Sequence, residues 1–325
     1  VTSYNIETAD ITLAEASSEG YTFGGWFTDA VCTVSASTPA IAKGSTGDKA
    51  FYAKFTVNVP QSLSVSGYND VYDGDAHGVT LKDPNHEIFD ENGALKLASD
   101  TVAYSTDNAY TDATTSEGET VTVTVKRHGV AIYESSATVV ITKRPVNVTI
   151  ESASFLYDTF EHALADQKNP TYTIAAYDAT AKTGILPAHE ASTTVTLVDD
   201  RRTDVGSNDV GATVTIGDVT NNYQINVTKG KIEVTNAATT AVATTAAHIY
   251  DNTAVGFTTP QMIATFNGQP VADPTVDWKW QGTTERKSGA FPTKADVRGD
   301  NATADGINGR YVIDVRLSKT NYASL

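Results

Sequence analysis

The sequence is poor in cysteine, in methionine and in positive charge: its 325 residues include one Cys and one Met. A single cysteine, Cys32, excludes an intramolecular disulfide and any zinc site built from several cysteines. Lys and Arg number 23 against 39 Asp and Glu, which gives a formal net charge of −16. Phosphate binding requires clustered basic residues, so we expect no nucleic-acid partner.

Long apolar runs are also missing. No stretch approaches the roughly 20 residues that cross a bilayer as a helix, and no signal peptide opens the chain, so we expect no membrane insertion in this segment. The sequence begins like the interior of a longer protein. Secreted eukaryotic arrays of this size usually carry disulfides, so the cysteine count fits an extracellular bacterial protein better, although a cytosolic protein could share it.

The residues that are abundant favour strands. Thr and Val recur throughout, Tyr is the main aromatic with 15 copies, and Leu/Glu/Lys-rich helical stretches are lacking. Because β-branched and aromatic side chains suit a pleated, half-buried surface, the composition predicts an all-β protein.

A Tyr-Asp signature recurs at Tyr72, Tyr157 and Tyr250, with spacings of 85 and 93 residues. An apolar residue follows seven positions after each Tyr, and an Asn-Tyr pair stands at 222–223 and again at 321–322. Such spacing is too long for a solenoid unit and suits small β domains. We predict four modules, at residues 1–57, 58–143, 144–235 and 236–325, in an elongated array, with the fourth module one strand short.

Alternation of apolar and polar residues locates the clearest strand pairs. Residues 121–126 alternate Val with Thr or Lys, and the chain returns at 130–133 after Arg127-His128-Gly129, which predicts a hairpin. Residues 224–228 and 231–234 alternate in the same way around Lys229-Gly230, which predicts a second hairpin or strand pair.

Residues 1–57 carry the most specific pattern. The stretches EGYTFGGWFTD at 19–29 and GDKAFYAKF at 47–55 resemble the Listeria–Bacteroides repeat of the internalin B-repeat type. Phe27 and Phe55 stand where that family usually has Tyr and Trp, and both substitutions keep an aromatic ring. The resemblance implies a β-grasp-like, non-catalytic unit of a bacterial surface protein, with Trp26 in its core.

The remaining three modules resemble the tandem YDG or MBG-type (mucin-binding-glycoprotein) modules of bacterial adhesins. The resemblance rests on Tyr72-Asp73-Gly74, on Asp204-Val205-Gly206 and on the two Asn-Tyr pairs. The family name implies carbohydrate or mucin binding. We expect these modules to be Ig-like sandwiches or β-grasp-like, and both possibilities remain open at this point.

No residue pattern indicates catalysis. His77 and His162 each follow their Tyr by five positions, and a group that recurs once per module favours packing over chemistry. No Gly-x-Ser-x-Gly elbow is present. Three acidic clusters have the carboxylates that calcium prefers, at Asp70/Asp73/Asp75, Asp199/Asp200/Asp204 and Asp300/Asp305, but Asp in turns usually bonds its own backbone. We expect no enzyme activity, metal or cofactor.

One aromatic pair is a candidate for sugar stacking. Trp278 and Trp280 flank Lys279, and strand alternation places both indoles on one face. An exposed pair would stack glycans, whereas packing in the core is the more common role of such residues.

These observations predict a monomeric, non-catalytic stalk or adhesion segment of a bacterial cell-surface or secreted protein, which spaces or presents a ligand-binding region. A glycan- or mucin-binding module, with a host glycan or host surface protein as partner, is one alternative. An accessory region of a large secreted glycosidase is the other.

Overall fold

The computed structural model describes residues 3–242, 259–280, 284–289 and 313–325. It is nearly all β, with 47% strand and 5% helix, and its strands form many small sheets. This confirms the predicted fold class and is consistent with tandem β modules. The chain forms two compact units: Val1–Arg144 with Asn221–Tyr223, and Pro145–Thr220 with Gln224–Leu325. The Tyr250 signature lies outside the described residues.

The strands are short in the repeat and longer in the segments that follow it. In the first 143 residues they are β1 Ile11–Thr12, β2 Tyr21–Phe27, β3 Ala40–Ile41, β4 Tyr52–Val57, β5 Ser64–Ser66, β6 Tyr68–Val71, β7 Thr80–Lys82, β8 Asp100–Tyr104, β9 Glu119–Arg127 and β10 Val130–Thr142. From residue 144 to 235 they are β11 Arg144–Ile150, β12 Ala153–Leu156, β13 His162–Ala163, β14 Tyr172–Ile174, β15 Thr193–Val198, β16 Arg201–Arg202, β17 Gly206–Ile216, β18 Tyr223–Thr228 and β19 Gly230–Thr235.

The described residues after 235 contribute β20 Thr239–Val242, β21 Gln261–Ala264, β22 Thr275–Trp280, β23 Lys287–Ser288 and β24 Ile313–Ser318. Short 3₁₀ turns cover Leu164–Asp166, Pro187–Ser192 and Thr220–Asn222.

The repeat at the start of the chain is built on one bulged strand pair. β2 and β4 pair antiparallel, and the register shifts between Phe23 and Trp26, where Gly25 has a φ of +107° that few other residues adopt. Trp26 packs edge-on against Phe23 at 5.7 Å and donates a hydrogen bond from Nε1 to the Ala14 carbonyl at 3.0 Å. It is half-buried, and so less enclosed than the predicted core position.

The aspartate of the repeat signature holds the following loop. The Asp29 carboxylate accepts hydrogen bonds from the N–H groups of Thr33 at 3.0 Å and Val34 at 2.6 Å. The Thr33 hydroxyl donates to it as well, and these bonds lower the pKa of Asp29 below its usual value. The motif that identifies the repeat is therefore a set of turn and bulge residues.

Residues 58–143 form a four-stranded sheet in the order β6-β10-β9-β8. The predicted hairpin is confirmed: β9 and β10 pair antiparallel around His128 and Gly129, both with positive φ. Alternation buries one face of β9 completely, at Val121, Val123 and Val125. Ile132, Val139 and Ile141 of β10 are buried as well, so both strands of the hairpin contribute to the core.

Residues 144–235 repeat that order as β12-β19-β17-β15, with a second sheet ordered β14-β11-β18. The hairpin predicted around Lys229-Gly230 is wrong, because β18 pairs with β11 whereas β19 pairs with β12 and β17. The reason is a close backbone approach: a Cβ at Gly230 would lie 1.9 Å from the Glu151 carbonyl oxygen. Only glycine fits where the chain changes sheets.

Candidate functional site

Each Tyr-Asp signature that the structure describes forms a turn closed by its histidine. His77 Nε2 lies 2.9 Å from Asp73 Oδ1, and the imidazole stacks on Tyr68 with ring centroids 3.8 Å apart. Burial opposes ionisation of Asp73, but hydrogen bonds from His77 and the Asp75 N–H outweigh it, so the pKa of Asp73 lies below its usual value.

The second copy of this turn has the same contacts. His162 Nε2 lies 3.0 Å from Asp158 Oδ1, and the ring stacks on Phe155 at 4.4 Å. The two histidines thus share one role in holding a turn. One difference is the third residue of the signature: Gly74 has a φ of +88° and Thr159 a φ of +78°. A β-branched residue in that region is strained.

The Asn-Tyr pair of the fourth segment packs against the Tyr-Asp turn of the third, within the second unit. Asn321 donates from Nδ2 to Asp204 Oδ1 at 2.8 Å, and its Oδ1 accepts from the Val205 N–H at 3.2 Å. Tyr322 meets Tyr157 edge to face at 5.3 Å and 80°. Burial raises the pKa of Tyr322, and the neighbouring Tyr157 raises it further.

Backbone hydrogen bonds tie the Asn-Tyr pair to the start of its own segment. The Ala237 N–H donates to the Asn321 carbonyl at 3.0 Å, and the Ala323 N–H donates to the Ala237 carbonyl at 2.8 Å. Because side-chain, ring and backbone contacts coincide, the pair is held in one orientation.

The first unit contains the same constellation. Asn222 donates from Nδ2 to Asp112 Oδ1 and accepts from the Ala113 N–H, both at 2.8 Å. Tyr223 meets Tyr72 edge to face at 5.6 Å and 76°. Burial raises the pKa of Tyr72, although a hydrogen bond with Asn222 opposes that effect. Asn222 is 3% exposed, so its two partners replace water entirely.

A third contact of this type joins the repeat to the segment after it, also within the first unit. Arg127 forms a bidentate ion pair with Asp100, with both distances 2.8 Å, and both side chains are almost fully buried. Its Nη1 donates to the carbonyls of Gly20 at 3.1 Å and Asn58 at 2.9 Å. The hydrogen bonds to Asp100 raise the pKa of Arg127.

The residue after Arg127 also contributes a ring contact: the ring centroids of His128 and Tyr21 lie 5.7 Å apart. We call the residue pairs 127–128, 222–223 and 321–322 the docking turns. In each, a polar side chain supplies directed hydrogen bonds and an adjacent ring contacts a tyrosine of an earlier segment.

Sequence reasoning found the Tyr-Asp and Asn-Tyr pairs but did not bring them together. A further signal was available, since Thr-Asp followed by Ala or Val occurs at 28–30, 111–113 and 203–205, and the second and third copies receive an asparagine. The Asp100–Arg127 pair had no such signal, because a charged residue in a strand is ordinarily solvent-exposed.

The acidic clusters that the structure describes do not assemble into a metal site. In the described part of the chain, no group of three or more His, Cys, Asp or Glu side chains could hold a metal ion. Asp300 and Asp305 lie outside the described residues. A cavity of about 670 Å³ near Tyr4 and Asp48 has no histidine or cysteine in its wall. No helix among the described residues is long and apolar enough to cross a membrane.

The tryptophan pair lies on β22, between β23 and β24. Trp278 is 3% exposed, and Lys287 Nζ lies 5.5 Å from the centroid of its ring. An indole this enclosed offers no open face to a sugar. The side chain of Trp280 lies outside the described residues, so the stacking role of the pair stays a prediction.

Comparison with known proteins identifies one region. Residues 2–54 match the family described as the Listeria-Bacteroides repeat domain, which confirms the resemblance of the first segment. The resemblance of residues 58–325 to YDG or MBG-type modules stays a prediction. No curated protein matches the chain.

Among solved structures, domains 4–9 of the surface layer protein SbsC align with 97% of this chain and 60% of that chain. The chain spans about three fifths of that structure, with 11% identity and a TM-score of 0.24. The family match alone fits a surface-associated segment of non-enzymatic type.

Proposed function

We propose that this chain is a non-catalytic stalk segment of a bacterial cell-surface protein, which holds or presents a ligand-binding region. The observation that carries the proposal is the docking turn. A spacer must keep neighbouring modules in one orientation, and the docking turns at 222–223 and 321–322 fix orientation through hydrogen bonds to both a side chain and the backbone of another segment.

The contacts are strong enough to keep a joint closed. A hydrogen bond to a charged group contributes about 1.5–3 kcal/mol, and an aromatic pair adds about 0.5–1.5 kcal/mol. A joint stabilised by about 3 kcal/mol is open less than about 1% of the time. A flexible linker has no such preference, so the docking turns favour stiffness.

Distance measurements between spin labels would test this function. In a Cys32→Ser background of the full chain, labels at Ser207→Cys and Lys319→Cys report on the contact within the second unit. We expect one narrow distance distribution, broadened by Asn321→Ala combined with Tyr322→Ala. Asn226→Ala, which removes only a side-chain contact with Asn147, serves as the matched control. A broad distribution in the parent chain would contradict the proposal.

Glycan or mucin recognition by the fourth segment is a second proposal, and an accessory role beside a secreted glycosidase is a third. The proposal of glycan recognition depends on Trp278 and Trp280, and the burial of Trp278 counts against this proposal. Glycan-array binding by the full chain that is lost in Trp280→Ala would support it. The sequence of the parent gene distinguishes an adhesin stalk from a glycosidase accessory region.

A further inference from the structure

The four-stranded sheet of residues 144–235 ends in a strand whose outer side is unpaired in the part of the chain that the structure describes. β15 pairs only with β17, through six residues from Thr193↔Ile216 to Val198↔Gly211. The Thr193 N–H donates to the Glu190 carbonyl in the preceding 3₁₀ turn, and no other described backbone group bonds the side of β15 that faces away from β17. An exposed edge of this length is a template for another strand.

β15 lacks the features that usually protect an edge. Its sequence, TTVTLV, contains no charge and no proline, and its register with β17 has no bulge. Exposed and half-buried side chains alternate along it without interruption. Natural edge strands commonly carry a lysine, a proline or a bulge that prevents pairing with a second chain.

The corresponding edge of the fourth segment is occupied. β22 pairs with the long strand β24 as β15 pairs with β17, and β23 adds to its other side with Trp278↔Lys287 and Asp277↔Ser288. The occupant is basic: Arg286 Nη1 approaches the Asp277 carbonyl at 3.5 Å, and Lys287 lies over the Trp278 ring. The Ser288 hydroxyl also contacts the Asp277 carboxylate. One edge of this type therefore already holds a short basic strand.

The surroundings of β15 suit a basic strand too. Glu190 precedes it and Asp199 follows it, and both are exposed. The next basic residue, Arg201, is paired with Glu161 at 3.1 Å. A cavity of about 180 Å³ opens beside Thr193, with Ile174, Ile185 and Glu190 in its wall, and it has room for one apolar side chain.

We propose that the edge of β15 binds an extended segment of a partner protein that alternates apolar residues with Lys or Arg. Main-chain hydrogen bonds supply the binding, as in other cases of strand addition, and the acidic flanks select a positively charged partner. This inference is independent of the stalk function, because it concerns what the side of the segment binds rather than how modules are joined.

Hydrogen exchange of the full chain tests the site with three synthetic peptides. The probe is acetyl-Lys-Val-Arg-Val-Lys-Val-amide. One control replaces its fourth residue with Pro, which keeps the charge but removes an N–H, and the other replaces every basic residue with Glu. We expect the probe to slow exchange of β15 amides by about tenfold, with little effect from either control.

If the proline peptide slowed exchange of the β15 amides as much as the probe does, binding would depend on charge alone and the proposal would be overturned. Protection confined to strands other than β15 would overturn it as well. A variant pair locates the site independently. Thr196→Lys places a positive charge on the edge, whereas Thr213→Lys places one directly opposite on the inner strand β17.

We expect Thr196→Lys to weaken probe binding about tenfold and Thr213→Lys to weaken it less. Equal losses in the two variants would count against edge pairing. The peptide comparison uses the parent chain, so it stands even if a variant fails to fold.

Discussion

The docking turns of the two units solve one problem with different chemistry. At 127–128 in the first unit, a buried arginine pairs with a buried aspartate and also bonds the carbonyl of Gly20 in the repeat and that of Asn58 just after it. At 321–322 in the second, a neutral asparagine bonds one carboxylate and one N–H at a more exposed position. The comparison teaches that the location of the turn is kept, while the side chain that fills it is charged in one case and neutral in the other.

The largest expected effect is at the buried ion pair. Arg127→Met leaves Asp100 charged and unpaired in the interior, which we expect to cost about 3–5 kcal/mol. Hydrogen exchange of the β8 and β9 amides measures the loss locally, which is preferable to one unfolding midpoint in a chain of several modules. The double variant Arg127→Met/Asp100→Leu should recover most of the lost stability. A loss below about 1 kcal/mol in the single variant would contradict the importance of this pair.

Substitutions at the asparagines of the other two docking turns should reduce stability by a smaller amount. Asn222→Ala leaves the Ala113 N–H and Asp112 without their partner, and we expect a loss of about 1–3 kcal/mol. Asn321→Ala should cost less, because its site is more open to water that can replace the side chain. Exchange rates of the Ala113 and Val205 amides report the two effects separately. The reverse ranking would show that burial does not set the strength of these joints.

The Tyr-Asp turns offer a substitution that should stabilise the protein. Thr159→Gly relieves the strain of a β-branched residue at positive φ, and we expect a gain of about 1 kcal/mol after the added freedom of glycine is subtracted. The matched change Gly74→Thr should destabilise its turn by a similar amount. Exchange of the Phe160 and Asp75 amides measures both changes. Equal signs for the two substitutions would refute the equivalence of the turns.

The smallest expected effect depends on pH. The pKa of Asp73 is lowered in the folded protein, so its ionised form contributes stability that is present above the unfolded value and is lost as the pH falls through the folded one. We expect the turn at residues 72–77 to loosen below about pH 4. The line width and exchange of the Asp75 amide follow this change, and His77→Phe should reduce it. An unchanged pH profile in that variant would contradict the role assigned to His77.

Much of the fold could be predicted from local pattern. The alternation of apolar and polar residues at 121–126 predicted β9 correctly, because a period of two depends only on residues within one strand. The same pattern failed at 224–234, where Gly230 allows the backbone to approach Glu151 and the chain changes sheets. That approach depends on a residue nearly 80 positions away, and periodicity carries no such information.

The candidate site was predictable only in part, for the same reason. The Tyr-Asp and Asn-Tyr pairs are visible as repeats, but the contact between Tyr157 and Tyr322 joins residues far apart in the sequence. The Asp100–Arg127 pair was missed because its burial is a product of the packing around it. Recurrence identified the parts of the docking turns, and only coordinates show how the parts meet.

Residues 144–235 contribute to both sides of the Asn-Tyr contact: Tyr157 and Asp204 receive it in the second unit, and Asn222 and Tyr223 provide it in the first. A gene segment that encodes both complementary halves can be duplicated in tandem, and the copies already fit one another. The number of segments can therefore change by unequal recombination without any new interface having to evolve.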